Sequence, residues 1–331
     1  MKKYLILLVI PLFCLRADVT KETFMSMKMA GGMVNMEQNS RTEIRPSMKL
    51  DDDMTKVKVT IISGKPQHKG TITRLDKGAY WYLDHDAKTW RELEIKMPEY
   101  KGKVEVEAKG SGQAPSKYRV VKSEFLVTKL DEKKDVNGWP CTGYVVKWTL
   151  VVEQESTREQ STSIMTTNLW TTETTEVIKT AQAEEKAFDD ALMAKLNANV
   201  IPDKTKLMGA EYLIALGISQ AAVTEGMIKA AEEMSKIQGY PIVTEVKWEV
   251  PGDTTAKKAP EAKPKSTGMF GLPNVRDMVG NAIEKKVEEQ IAPKPGQAGV
   301  VFTSHLEVKS LKVAAVPDKD FEIPEGYKKV Q

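Results

Sequence analysis

From Asp18 to about Thr180 the dominant apolar period is two, and this constrains the chain more than any other feature. Phe24-Met25-Ser26-Met27-Lys28-Met29 sets three methionines on one side of a segment. Tyr144, Val146, Trp148, Leu150 and Val152 share a side, with Lys147 and Thr149 on the other. Successive side chains of a strand point to opposite faces, so the alternation predicts a half-buried antiparallel sheet. Tyr80-Trp81-Tyr82-Leu83, a turn over Asp84 to Lys88, and Thr89-Trp90-Arg91 together predict a hairpin. A Gly-, Ser- and Lys-rich stretch between Lys101 and Lys117 reads as a loop. Strand patterns resume at Tyr118 and recur over Ser161 to Thr171.

The period then changes. Phe188, Leu192 and Leu196 stand four apart, and from about Ala181 to Gln238 the chain reads as helices, one of them carrying Val223, Met227, Met234 and Ile237 on a face. Gly239 and Pro241 stop that run, as a C-terminal glycine followed by proline does. Thr244, Val246, Trp248 and Val250 alternate again. Residues 251–268 hold no apolar side chain larger than Ala or Pro and read as a linker. A helix is expected over Asn274 to Ile291 and a last strand over Val300 to Val313.

Lys2 and Lys3 followed by an apolar run, Tyr4 to Phe13, read as a secretory leader with cleavage after Ala17. The run is about ten residues, where spanning a bilayer takes about 20. Lipidation at Cys14 is the competing reading, and bulky Phe13 in front of it argues against it. Removal of Lys2, Lys3 and Arg16 lowers the 49 basic residues to 46, equal to the 46 acidic ones, so no cationic face for nucleic acid is implied. Cys141 is then the single remaining cysteine, which rules out an internal disulfide. No later stretch reaches transmembrane length.

No catalytic pattern emerges. His68, His85 and His305 lack HExxH spacing. His85, flanked by Asp84 and Asp86, reads first as a turn residue and second as a metal ligand. Gly110-Ser111-Gly112 fits neither a nucleophile elbow nor a dinucleotide loop. Asp51-Asp52-Asp53 lacks the spacing of a calcium loop. Met25, Met27 and Met29 suit the inner face of a strand or cavity; Cu(I) ligation through their thioethers is the weaker alternative. The chain is therefore expected not to be an enzyme and to need no cofactor.

Several segments resemble the DUF4412 family of exported bacterial proteins, itself similar to the LolA/LolB-like lipoprotein-carrier superfamily. They are the methionine-rich opening with SRTEIRPSMKLDD, then LDKGAYWYLDHDAKTWREL, DVNGWPCTGYVVKW, GYPIVTEVKWEV and the terminal FEIPEGYKKV. The resemblance implies an α+β, mainly antiparallel fold: a half-open, unclosed β-barrel with helices covering or filling its concave face. The organisation expected is a signal peptide over 1–17 and one β domain over 18–331, with a helical lid at 181–238 and a linker-plus-helix insertion at 252–298. The function expected is a periplasmic or envelope-associated carrier or binding module for a lipid, lipoprotein acyl chain or other hydrophobic molecule. Met25, Met27, Met29, Trp81, Tyr144, Trp148, Phe188, Met227 and Trp248 are the candidate cavity residues. The alternative is an envelope structural protein with a filled core that recruits a protein partner.

Overall fold

In the computed structural model the described residues are 18–29, 32–59, 62–96, 118–154, 157–196, 232–251 and 299–331. They form one large sheet and one main helix. Strands β1 (Val19–Met29), β2 (Val34–Arg45), β3 (Met48–Val59), β4 (Ile62–Ser63), β5 (Gln67–Arg74), β6 (Ala79–Asp84) and β7 (Thr89–Glu94) make a first run. Strands β8 (Tyr118–Val136), β9 (Trp139–Gln154), β10 (Gln160–Thr172), β11 (Tyr240–Val250) and β12 (Gly299–Val313) make a second. The two runs join where β1 pairs antiparallel with β12. A short β13 (Lys328–Lys329) lies parallel to β7 at one edge, β8 forms the other, and β4 hangs off β3, so the sheet is not closed.

Local sequence explains most of the pairing. Between β8 and β9, Asn137 and Gly138 both take positive φ, 53° and 83°. That is the backbone a two-residue hairpin turn requires, and Asn-Gly is its preferred sequence. The Asp84–Lys88 turn joins β6 to β7, with the amide of Ala87 donating to Asp84 Oδ1. β11 and β12 pair directly although 252–298, which falls outside the described residues, separates them in sequence. The 101–117 loop and the helices expected between 197 and 231 also lie outside the described residues.

Helix α1 (Glu176–Leu196) begins five residues before the expected start at Ala181. Thr175 Oγ1 accepts the Ile178 amide at 3.3 Å and caps it. Ile178, Ala181 and Phe188 are its buried stripe. Ala181 and Phe188 pack with Val19, Ile44, Leu75 and Ile95, against the side of the sheet termed here the helix face. Lys21 pairs with Glu185, and Lys195 donates to the Leu75 carbonyl at 2.7 Å.

The opposite face carries a second core. Ile72, Ala79, Trp81 and Leu83 are covered by Val316 and Phe321, with Ile323 and Tyr327 at the margin. The chain after β12, including a 3₁₀ turn at Asp318–Phe321, is thus a strap across β3, β5 and β6. Two buried arginines hold it. Arg45 Nε donates to Asp18 Oδ2 at 2.9 Å, its Nη2 to the Val316 carbonyl, and its guanidinium lies 4.7 Å over the Phe321 ring. Arg74 donates to both Asp76 oxygens at 2.9 and 2.6 Å and to the Phe321 carbonyl at 3.1 Å.

Glu43 lies on this strap face with no exposed surface. Arg41 bonds one carboxylate oxygen, and Oε2 has no hydrogen-bond partner among the described residues. Burial raises its pKa above the usual 4.5, the Arg41 charge opposes, and the charge of Asp320 adds to the rise. A carboxyl with a raised folded pKa is destabilising when ionised, above its ordinary range, and loses that penalty as it protonates. Glu43→Gln is therefore expected to raise the melting temperature at pH 7, with the gain vanishing as pH falls through about 4.5. Melts of the two proteins at pH 7 and pH 4 measure this; a lower value for the variant at pH 7 would mean that the Arg41 pair outweighs burial.

Candidate functional site

The helix face carries one uninterrupted apolar row. In cross-strand register run Val59 of β3, Val34 of β2, Met29 of β1, Phe302 of β12, Trp248 of β11, Met165 of β10, Trp148 of β9 and Phe125 of β8. Directly paired residues point to the same face, so these side chains stand in line. Seven steps of about 4.8 Å make the row about 34 Å long. Val59, Val34, Phe302, Trp248, Met165 and Trp148 are buried. Trp248 meets Phe302 edge-on at 5.8 Å between centroids, and Phe125 meets Trp148 edge-on at 6.4 Å. The Trp148 indole donates to Ser123 Oγ at 3.0 Å, which satisfies its one polar atom.

Parallel rows flank it. Met27 aligns with Ser304, Val246, Thr167, Val146 and Val127, and Met25 with Leu306, Thr244, Leu169 and Tyr144. Over the β8–β10 end, Met234 closes onto Val127, Tyr144, Val146 and Leu169, with Phe125 and Ile237 beside them. The Val127 amide donates to Glu233 Oε2 at 3.2 Å and fastens this cover. Lys236 and that amide hold the Glu233 carboxyl below its ordinary pKa. Beneath Met234 lies a cleft of about 10 Å³ lined by Phe125, Val146, Trp148, Met165, Leu169 and Met234, with Thr167 as its polar member. That is room for about one water molecule.

The candidate cavity residues divide. Met29, Trp148 and Trp248 belong to the main row, and Met25, Met27 and Tyr144 to the flanking ones. Phe188 packs in the separate α1 core. Trp81 does not join them: it faces the strap, its indole donating to Glu92 at 2.9 Å, with Lys77 and Arg74 over its ring at 4.5 and 5.2 Å. Met227 lies outside the described residues. Val34 and Val59 complete the row together with Phe125, Met165 and Phe302, none of which was a candidate from sequence. The signal of the last three was present as alternation in SEFLVT, SIMTTNL and VFTSHL, but only register aligns them. Met25, Met27 and Met29 each sit between their own cross-strand neighbours, about 7 Å apart along β1.

Cys141 is buried, and burial pushes its thiol pKa up, so it stays protonated at neutral pH. Two of the three histidines converge. The His68 and His85 rings stack at 4.1 Å on the strap face beside Asp52.

By its fold, the protein is a mainly antiparallel β protein built on one large unclosed sheet, with one main helix packed against it. No protein-family model and no curated protein matches the chain. No helix among the described residues is long and apolar enough to cross a membrane.

Proposed function

We propose that this protein is an exported binding or carrier module of the bacterial cell envelope that takes an acyl chain or other apolar ligand without catalysis. In this reading the sheet is a half-open β-barrel and its helix face is the concave, ligand-holding side. The observation that carries the reading is the eight-residue apolar row of the helix face. The leader-like first 17 residues and the resemblance to exported carriers support the setting.

The cleft holds only about 10 Å³ with Met234 in its lining, so an acyl chain has to displace Met234. Burying a methionine side chain is worth about 1.5–3 kcal/mol, and each buried methylene about 0.8 kcal/mol. About four methylenes therefore match what Met234 contributes, and a longer acyl chain exceeds it. Met234→Ala is expected to tighten binding of a fluorescent fatty acid by up to about 100-fold, since each 1.4 kcal/mol is tenfold. Fluorescence titration of both proteins, with native mass spectrometry of the periplasmic preparation, tests it. Lack of co-purifying lipid together with no fatty-acid binding by either protein would sink the proposal. That result would favour the second reading, an envelope scaffold with a filled interior, which the 10 Å³ cleft favours. For the scaffold, deletion of 252–298 should abolish partner capture and leave the fold intact.

A further inference from the structure

Asp52 on β3, His68 on β5 and His85 just past β6 project from the strap face and meet at one point. His68 Nε2 lies 2.7 Å and His85 Nε2 3.2 Å from the same oxygen, Asp52 Oδ1. Two imidazole nitrogens and one carboxylate oxygen thus lie within 4.8 Å of one another. We propose that Asp52, His68 and His85 form a binding site for a divalent first-row transition-metal ion such as Zn²⁺.

Four features fit this assignment. First, His85 Nε2 is buried and makes no hydrogen bond; it is near Asp52 Oδ1 but not aligned to bond it. Second, His85 Nδ1 lies 2.6 Å from the Tyr327 hydroxyl. With Nδ1–H donating to Tyr327, the lone pair of Nε2 faces the carboxylate, and an outer partner of this kind orients metal-binding imidazoles generally. Third, Gly70 makes room: a Cβ there would sit 2.7 Å from His85 Nε2. Fourth, the side chains of Asp52, His68 and His85 are 31, 33 and 17% exposed, so an ion can enter from solvent.

Burial, and then the charge of His68, holds the His85 imidazole below its ordinary pKa. Asp84 and Asp86 add negative charge around it, and the His68 amide donates to Asp86 at 2.9 Å. Imidazole nitrogen with carboxylate oxygen suits zinc, copper, nickel and iron; three protein ligands leave at least one coordination position for water or another ligand. The competing explanation is a hydrogen-bonded network whose task is to secure Tyr327. It predicts no response to metal.

The site lies on the face opposite the apolar row, so it stands or falls independently of the proposed function. The test uses the mature chain. Metal analysis after equilibrium dialysis should find one Zn²⁺ per chain, with affinity lowered at least tenfold in Asp52→Asn, His68→Ala and His85→Ala, and about tenfold in Tyr327→Phe. Zn²⁺ should also raise the melting temperature of the wild-type protein, because it binds the folded state. A readout free of substitutions is modification of the wild-type chain by diethyl pyrocarbonate. Zn²⁺ should shield His68 and His85 and leave His305 reactive. Equal labelling of all three with and without Zn²⁺, or undiminished binding in folded His68→Ala, would overturn the site.

Discussion

Arg45→Ala is expected to cost about 3–5 kcal/mol of stability, the usual penalty for stripping one partner from a buried ion pair. Arg45 is 6% exposed and Asp18 is 2% exposed. Asp18 Oδ2 accepts from Arg45 Nε and from the Val316 amide, while Oδ1 has no partner among the described residues, so removing the guanidinium leaves a buried carboxylate without its charge partner. The same substitution removes the bond to the Val316 carbonyl, the pairing with Asp318 and the cation over Phe321. Urea unfolding measures the loss. Limited proteolysis should show the chain after Val313 cut well before the sheet. A loss under about 1 kcal/mol would mean that Arg74 and the apolar contacts of Phe321 and Val316 hold the strap without Arg45.

Phe188→Ala is expected to cost a similar amount, about 3–5 kcal/mol, because it empties the centre of the helix–sheet core. Phe188 is 2% exposed and sits among Val19, Ile44, Leu75 and Ile95, contributed by β1, β2 and the ends of the β5–β7 run. Phe188→Leu should lose much less. Chemical denaturation compares the two, and the fatty-acid titration adds a discriminating readout. With both variants folded, the proposed apolar site should bind the probe as it does in the wild-type protein, since Phe188 lies outside the apolar row. A matching loss of affinity would make the α1 core part of the ligand site.

The candidate site was legible in pieces. Trp148, Trp248 and Met29 were visible as members of alternating strands, because alternation is a local consequence of strand geometry. Their alignment was not, because it depends on pairing of strands far apart in sequence: Met29 stands beside Phe302 through β1 and β12. Trp81 shows the matching weakness. Alternation places it on one face of β6, but both faces of this part of the sheet are covered, by α1 and its neighbours on one side and by the strap on the other. Period two cannot say which cover a residue meets. His68 and His85 were nearer to discovery: the β5–β6 hairpin pairs Lys69 with Asp84, so counting outward from the turn brings the two histidines opposite each other. Asp52 needed the pairing of β3 with β5.

Strand positions, the Asn137-Gly138 and Asp84–Lys88 turns and the change to helical periodicity before Phe188 follow from the sequence alone, since each rests on backbone preference and spacing within a dozen residues. Tertiary structure alone decided that β1 and β12 weld the two runs, that FEIPEGY folds back beneath Arg45 and Arg74, and that two histidines share one aspartate. These outcomes turn on which distant surfaces bury one another. That is a property of the whole packed chain, and no short window of residues encodes it.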